Sequence, residues 1–178
     1  MSRNSSKNIA RLTTCAMLSA LGVVMLVLGS FVEVVDISMA VIASLLCIFA
    51  VIEYGGASPW LVFSVTGVLS LILPMPNRTP AVMYVFFFGY YPIIKEKLER
   101  LNKVLCWFLK EVIFNIALAA ILLIVKFVLM PTVSEPLWMV ATLIIMAELV
   151  FILYDIALTR LISFYIVKLR HRLRINKK

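Results

Sequence analysis

Apolar residues along this chain run in long blocks separated by short polar breaks, and the lengths of those blocks carry the first inference. Six can be drawn, over about 11–32, 37–54, 58–73, 79–94, 104–130 and 137–167. Blocks near 20 residues match the roughly 30 Å hydrocarbon core of a bilayer. The pattern therefore predicts an all-α polytopic membrane protein, a six-transmembrane-helix bundle whose two ends lie on the same side. The breaks carry start signals: Ser58-Pro59 and Thr79-Pro80 each place an N-cap residue before a proline at the first helical position, and Ser134-Glu135-Pro136 does much the same. Gly55-Gly56 makes so short a connection that the second and third blocks must form an antiparallel hairpin. With no internal repeat and no soluble domain visible, residues 1–178 read as a single integral membrane domain.

Composition agrees with the pattern. Of 178 residues, 63% are hydrophobic and 15% charged, and mean hydropathy is +1.08; a soluble domain carries about 45–50% apolar residues. The formal net charge of +8 is unevenly placed. Arg3, Lys7 and Arg11 precede the first block, Lys95, Lys97, Arg100 and Lys103 lie between the fourth and fifth, and Lys168, Arg170, Arg172, Arg174, Lys177 and Lys178 form a basic tail over 168–178. The opposite side holds Arg78 and, near a helix end, Lys126. By the positive-inside rule both termini face the cytoplasm. The bias and the lack of a long soluble domain fit a bacterial plasma membrane. Basic segments beside a span meet anionic lipids, not nucleic acid.

The stretch from Phe86 to Arg100 marks a membrane exit: Tyr90-Tyr91 are interfacial aromatics, Pro92 loosens the helix, and Lys95 onward lies at headgroup level. Ile94, Leu98, Leu101 and Leu105 recur at helical spacing with charges between them, which predicts an amphipathic segment over 95–103 that anchors the protein or docks a partner. The first apolar stretch is longer than a signal-peptide core of about 7–15 residues and ends in no small-x-small cleavage pattern, so it reads as an uncleaved span. Leu12-Thr13-Thr14-Cys15 faintly resembles a lipoprotein box, but there the apolar run follows the cysteine. Cys15, Cys47 and Cys106 fall inside blocks as packing residues. With His171 the single histidine, no metal site, cofactor or catalytic triad is implied.

Ionisable groups inside spans cost about 2.5–3.5 kcal/mol each on insertion scales and find partners. The fifth block carries Lys110, Glu111 and Asn115, and the sixth Glu148, Asp155 and Arg160. Counted from the cytoplasmic end, Asn115 and Glu148 fall roughly 16–18 Å deep and Lys110, Glu111 and Asp155 about 7–11 Å. Two readings follow. Either the groups neutralise each other, with Lys110 to Asp155 and Glu111 to Arg160 as natural pairs, or Glu148, near Asn115, is a proton or cation site. On the outer side, Glu33, Asp36, Asn77 and Arg78, with Glu135, come from short loops, and Tyr84 and Trp138 lie just inside the membrane. Such a set describes a small-molecule pocket; it equally describes an aromatic belt. Ala16 and Ala20 form a small-xxx-small pattern, open to internal packing or to a partner.

Six helices in fewer than 200 residues, cytoplasmic termini, a basic N-terminus and "TTCAMLSALGVVMLVLGS" resemble the substrate-binding S component of energy-coupling-factor (ECF) transporters. The resemblance implies that Ala16 and Ala20 face a transmembrane coupling subunit, and that outer loops and later helices capture a small-molecule ligand, usually a vitamin. It implies no enzyme activity in this chain; an ATPase pair among the partners supplies the energy. The absence of a Gly-x-x-x-x-Gly-Lys-Ser/Thr loop agrees. No signature of a thiamine, biotin, riboflavin or folate binder is present. Alternatives from other classes are a proton- or cation-coupled carrier or channel subunit around Asn115 and Glu148, and a non-catalytic membrane scaffold. An intramembrane enzyme is least supported, lacking a Ser/His, Glu-Glu or metal-ligand constellation.

Overall fold

The computed structural model describes residues 3–124 and 136–169. The end of the fifth block, Lys126, Glu135 and most of the basic tail lie outside the described residues. These are helical with no strand: α1 (Arg3–Phe31), a 3-10 turn (Glu33–Val35), α2 (Asp36–Glu53), α3 (Ser58–Ile72), α4 (Thr79–Met83), a π-helical turn (Tyr84–Phe88), α5 (Tyr91–Leu98), α6 (Lys103–Ile124), α7 (Leu137–Phe164) and a second π-helical turn (Tyr165–Leu169). Helix thus forms on all six apolar blocks. Four helices, α1, α2, α6 and α7, are long and apolar enough to cross a membrane. The 15 residues of α3 reach only about 22 Å at the usual helical rise, and the fourth block is divided among α4, the first π turn and α5. The chain forms two compact units, Met1–Leu122 and Leu123–Lys178.

In the first unit α2 is central, touching α1, α3, α4, α5 and the π turn. Its buried positions are Asp36, Ala40, Ala43, Ser44, Cys47, Ile48 and Ala50, at the three-and-four spacing of one helix face. Nearly all are small. Lipid tails are as apolar as Leu, so helices gain little by hiding Leu from lipid; they associate by close backbone approach and interhelical hydrogen bonds. The facing stripe of α1 is built alike, from Cys15, Ser19, Gly22, Val23, Leu26, Gly29 and Ser30, all buried. A Cβ on Gly22 would stand 3.0 Å from Thr66 Cγ2, and one on Gly29 would stand 2.8 Å from Met39 Cβ. Those glycines set the distance between helices. Thr66 Oγ1 donates to the Ser19 carbonyl at 3.4 Å, and Cys47 Sγ to the Pro59 carbonyl at 3.6 Å. Buried Ser19, Ser30 and Ser70 donate back to carbonyls of their own helices, so these hydroxyls sit in the core without an unmet bond.

The connections show what the start signals do. Gly55 and Gly56 both hold positive φ, +59° and +58°, and α2 and α3 pack against one another across them. Arg11 of α1 clamps this turn: its Nη2 donates to the Gly55 carbonyl at 3.3 Å, its Nε to Ser58 Oγ, and its guanidinium lies 6.0 Å from the Tyr54 ring centroid. Ser58 is therefore the first helical residue and an acceptor for arginine, and Ala57 holds the N-cap position. At α4 the cap comes from Asn77, two residues before Thr79. Its Oδ1 accepts from the Thr79 N–H at 2.9 Å and the Thr79 hydroxyl at 2.7 Å.

Gly29→Leu should destabilise the protein by about 1–3 kcal/mol, because the new side chain branches from an atom already overlapping Met39. Thermal unfolding in detergent would show a lowered midpoint; an unchanged one would show that α1 and α2 do not depend on this approach.

Candidate functional site

Three groups of residues bear on function, and the first is the broken fourth block. In the π turn the Gly89 N–H donates to the Tyr84 carbonyl at 2.7 Å, five residues back. Gly89 is required by what surrounds it: a Cβ there would lie 2.5 Å from Phe63 Cδ2 and 2.8 Å from Tyr84 Cε1. Phe63 in turn packs beside Tyr84 and Tyr90, with ring centroids 6.0 and 6.1 Å away. Phe87 stacks near Tyr91 at 4.9 Å and meets Phe114 edge-on at 5.2 Å. The extra residue in the π turn advances the side chains beyond it by roughly 100° about the axis. After that shift, Tyr91, Lys95 and Leu98 form the buried stripe of α5.

Lys95 is consequently 0% exposed. Its Nζ lies 3.2 Å from Glu99 Oε1, one turn on, and Lys110 Nζ of α6 approaches the same oxygen at 3.7 Å. Lys110 is also buried, and its ammonium stands 5.8 Å from the Trp107 ring centroid. Glu99, 40% exposed, thus joins the end of α5 to α6 and is shared between two ammoniums that would otherwise be expensive to bury. The expected amphipathic segment over 95–103 is divided: Lys95–Leu98 finish α5, and Lys103 opens α6. Farther along α6, Asn115 Nδ2 donates to the Glu111 carbonyl at 3.0 Å. Glu148, Asp155 and Arg160 lie on α7, in the second unit, where the Thr159 hydroxyl donates to the Asp155 carbonyl at 3.0 Å.

The second group comprises the outer-loop residues. Glu33 opens the 3-10 turn, and Asp36 begins α2 with its carboxylate accepting from the Ile37 N–H at 2.5 Å. Asn77 caps α4, and Arg78 beside it is exposed. Tyr84 is fully buried, within the aromatic packing around Phe63. Trp138 is in the first turn of α7, in the second unit. Asp36, Asn77 and Tyr84 therefore have local structural tasks. Among the described residues no three His, Cys, Asp or Glu side chains are grouped to hold a metal ion.

The third group is on α1. Ala16 and Ala20 are exposed, with Leu12, Thr13, Met17, Leu21 and Val24 around them. The inward stripe of this helix uses Cys15, Ser19, Gly22 and Gly29 instead. The sequence missed Lys95, Glu99 and the α1 glycines as key positions. The last had a signal in their seven-residue spacing, whereas the burial of Lys95 depends on a π turn that no residue pattern announces. No protein-family model, curated protein or solved structure matches the chain.

Glu99→Gln should cost about 1–3 kcal/mol, less than loss of a fully buried partner because the carboxylate is partly hydrated. Chemical unfolding in detergent micelles would detect the loss, and wild-type stability in the variant would mean that the carboxylate does not hold α5 to α6.

Proposed function

We propose that the protein is the substrate-capture S component of an ECF-type ABC importer for a vitamin or other small micronutrient, with six spans and both termini in the cytoplasm of a bacterium. The observation that carries this reading is the outward position of Ala16 and Ala20. A helix that had spent this small-residue pair on its own bundle would have left no close-approach surface for another membrane subunit. Here the internal contacts fall to a separate stripe, and the exposed face is smooth enough for a partner helix to approach. The charge distribution supports the orientation: Arg11, at the α2–α3 turn, and Lys95, Lys97, Arg100 and Lys103, at the α5–α6 connection, belong to segments flanking the cytoplasmic ends in the six-span arrangement. Transport would then be energised by partner ATPase subunits, and this chain would bind and present the ligand. The Lys110–Glu99 ion pair favours a structural task for at least that part of the intramembrane charge over a proton pathway.

Tagged protein purified from its native membrane should bring down an ATPase pair and a transmembrane coupling subunit. Ala16→Leu with Ala20→Leu should leave the melting midpoint of the isolated protein unchanged, since lipid accommodates leucine, and should abolish the co-purification. A fall in the midpoint would assign the pair to internal packing; self-association alone would favour a carrier.

Topology has its own test. Single cysteines placed at Asn4, Asn102 and Asn176 should be shielded from an impermeant thiol reagent in intact cells, and one at Asn77 should react. Labelling at Asn102 would overturn the six-span arrangement.

A further inference from the structure

The elbow between α5 and α6 has a surface that neither the transport reading nor the ion cluster explains. An open cleft of about 520 Å³ is lined by Glu99, Leu101, Lys103, Val104, Cys106 and Trp107. Leu101, Val104, Cys106 and Trp107 make its apolar wall; Val104 is 84% exposed, and Phe108, one turn beyond the cleft, is 64% exposed. Farther along α6, Glu111 and Asn115 follow on this face, and exposed Val112 and Ile116 lie to one side of it. At the other end of this lane stand cations, Lys103 on the rim and Lys97 exposed on the last turn of α5. Arg100 is exposed as well, held to Glu96 at 2.8 Å. The one carboxylate in the cleft, Glu99, is engaged by Lys95 and Lys110, so its charge is compensated from within the fold.

We infer that this elbow is a binding site for an anionic phospholipid, with the phosphate at Lys103 and Lys97 and the acyl chain along Val104, Trp107 and Phe108. Charge complementarity selects the occupant. A cationic rim beside the exposed Val104, Trp107 and Phe108, ahead of Glu111 one turn farther on, suits a molecule with an anionic head and an apolar chain that lies over the first turn of α6. A small polar ligand would leave the apolar lane uncovered, and a neutral lipid would leave the rim cations without a counter-charge. Trp107 belongs at such a level, where an indole has an apolar body beside the chains and an N–H toward the headgroups. The site stands whether or not the chain is a transporter subunit.

The test uses the full-length protein with Trp60→Phe and Trp138→Phe, so that Trp107 is the single tryptophan, reconstituted in phosphatidylcholine vesicles. Tryptophan fluorescence is quenched by bromine on a contacting acyl chain. Brominated phosphatidylglycerol should quench Trp107 at a mole fraction about fivefold lower than brominated phosphatidylcholine does, and Lys103→Gln should erase about that factor, the expected worth of one lysine near an anionic surface. Lys103→Arg should retain the preference. Equal quenching of the parent protein by the two lipids would overturn the proposal, and if Lys103→Gln fails to fold that comparison decides alone. Shielding of Trp107 from both lipids would overturn it too, by showing that a second copy or another protein covers the elbow.

Discussion

Close approach between α1 and α2 is the constraint on which the first unit depends. In water, two helices can be held together by almost any pair of complementary apolar faces, because water supplies the drive. In lipid that drive is absent, and association relies on contacts made at short range. The chain meets this requirement with Gly29 on α1 and with Ala40, Ala43, Ser44, Cys47 and Ala50 on α2, while Gly22 serves the approach of α1 to Thr66 of α3. On α1 and α2 many of the larger apolar side chains, Leu12, Met17, Leu21, Leu28, Ile37 and Ile42 among them, are exposed instead, while Leu26 and Ile48 are buried. At the seam between α1 and α2 the buried residues are mostly small and partly hydroxylic; the bulky buried side chains gather elsewhere, around Tyr84, Phe87 and Tyr91.

This seam explains why α1 can have two faces of small residues with different tasks. Cys15, Ser19 and Gly22 are nearly in register with Ala16 and Ala20, one position apart, yet one set is buried and the other exposed. Had the alanines been the packing face, the glycines would have pointed into lipid, and Gly29 would not meet Met39. The choice follows from size. Glycine allows a nearer approach than alanine, so the closest contacts, Gly29 to α2 and Gly22 to α3, go to the glycine stripe and a more open face is left over.

Much of the architecture was legible in the sequence. All six apolar blocks contain helix, and the Gly55-Gly56 turn joins its two helices as the spacing demands, because glycine alone adopts two successive positive φ values readily. What escaped were side chains already engaged by the fold, some by contacts distant in sequence and some by near ones. Ser58 was expected to cap α3 and instead receives Arg11, 47 residues away. Asn77, drawn from the outer loop as a possible ligand contact, caps α4, and Tyr84 packs inside. Local polarity identifies which side chains are able to bind something; it does not say whether the backbone has already engaged them.

The broken fourth block shows how one local irregularity redirects chemistry. Along an unbroken helix from Thr79, the apolar stripe through Ile94, Leu98 and Leu101 would face one way and Lys95 would point to headgroups. The π turn rotates everything after Phe88, and Pro92 prevents the original ladder from resuming. Lys95 is thereby turned inward, and a buried ammonium requires a counter-charge within reach. Glu99 is the residue one turn away, and once it is fixed there it also faces Lys110 on the next helix. The direction of α6 out of the elbow is therefore coupled, through Glu99 and through the Phe87–Phe114 contact, to a phase shift made by the aromatic run three turns earlier. Lys97 and Lys103, outside the cluster, are exposed.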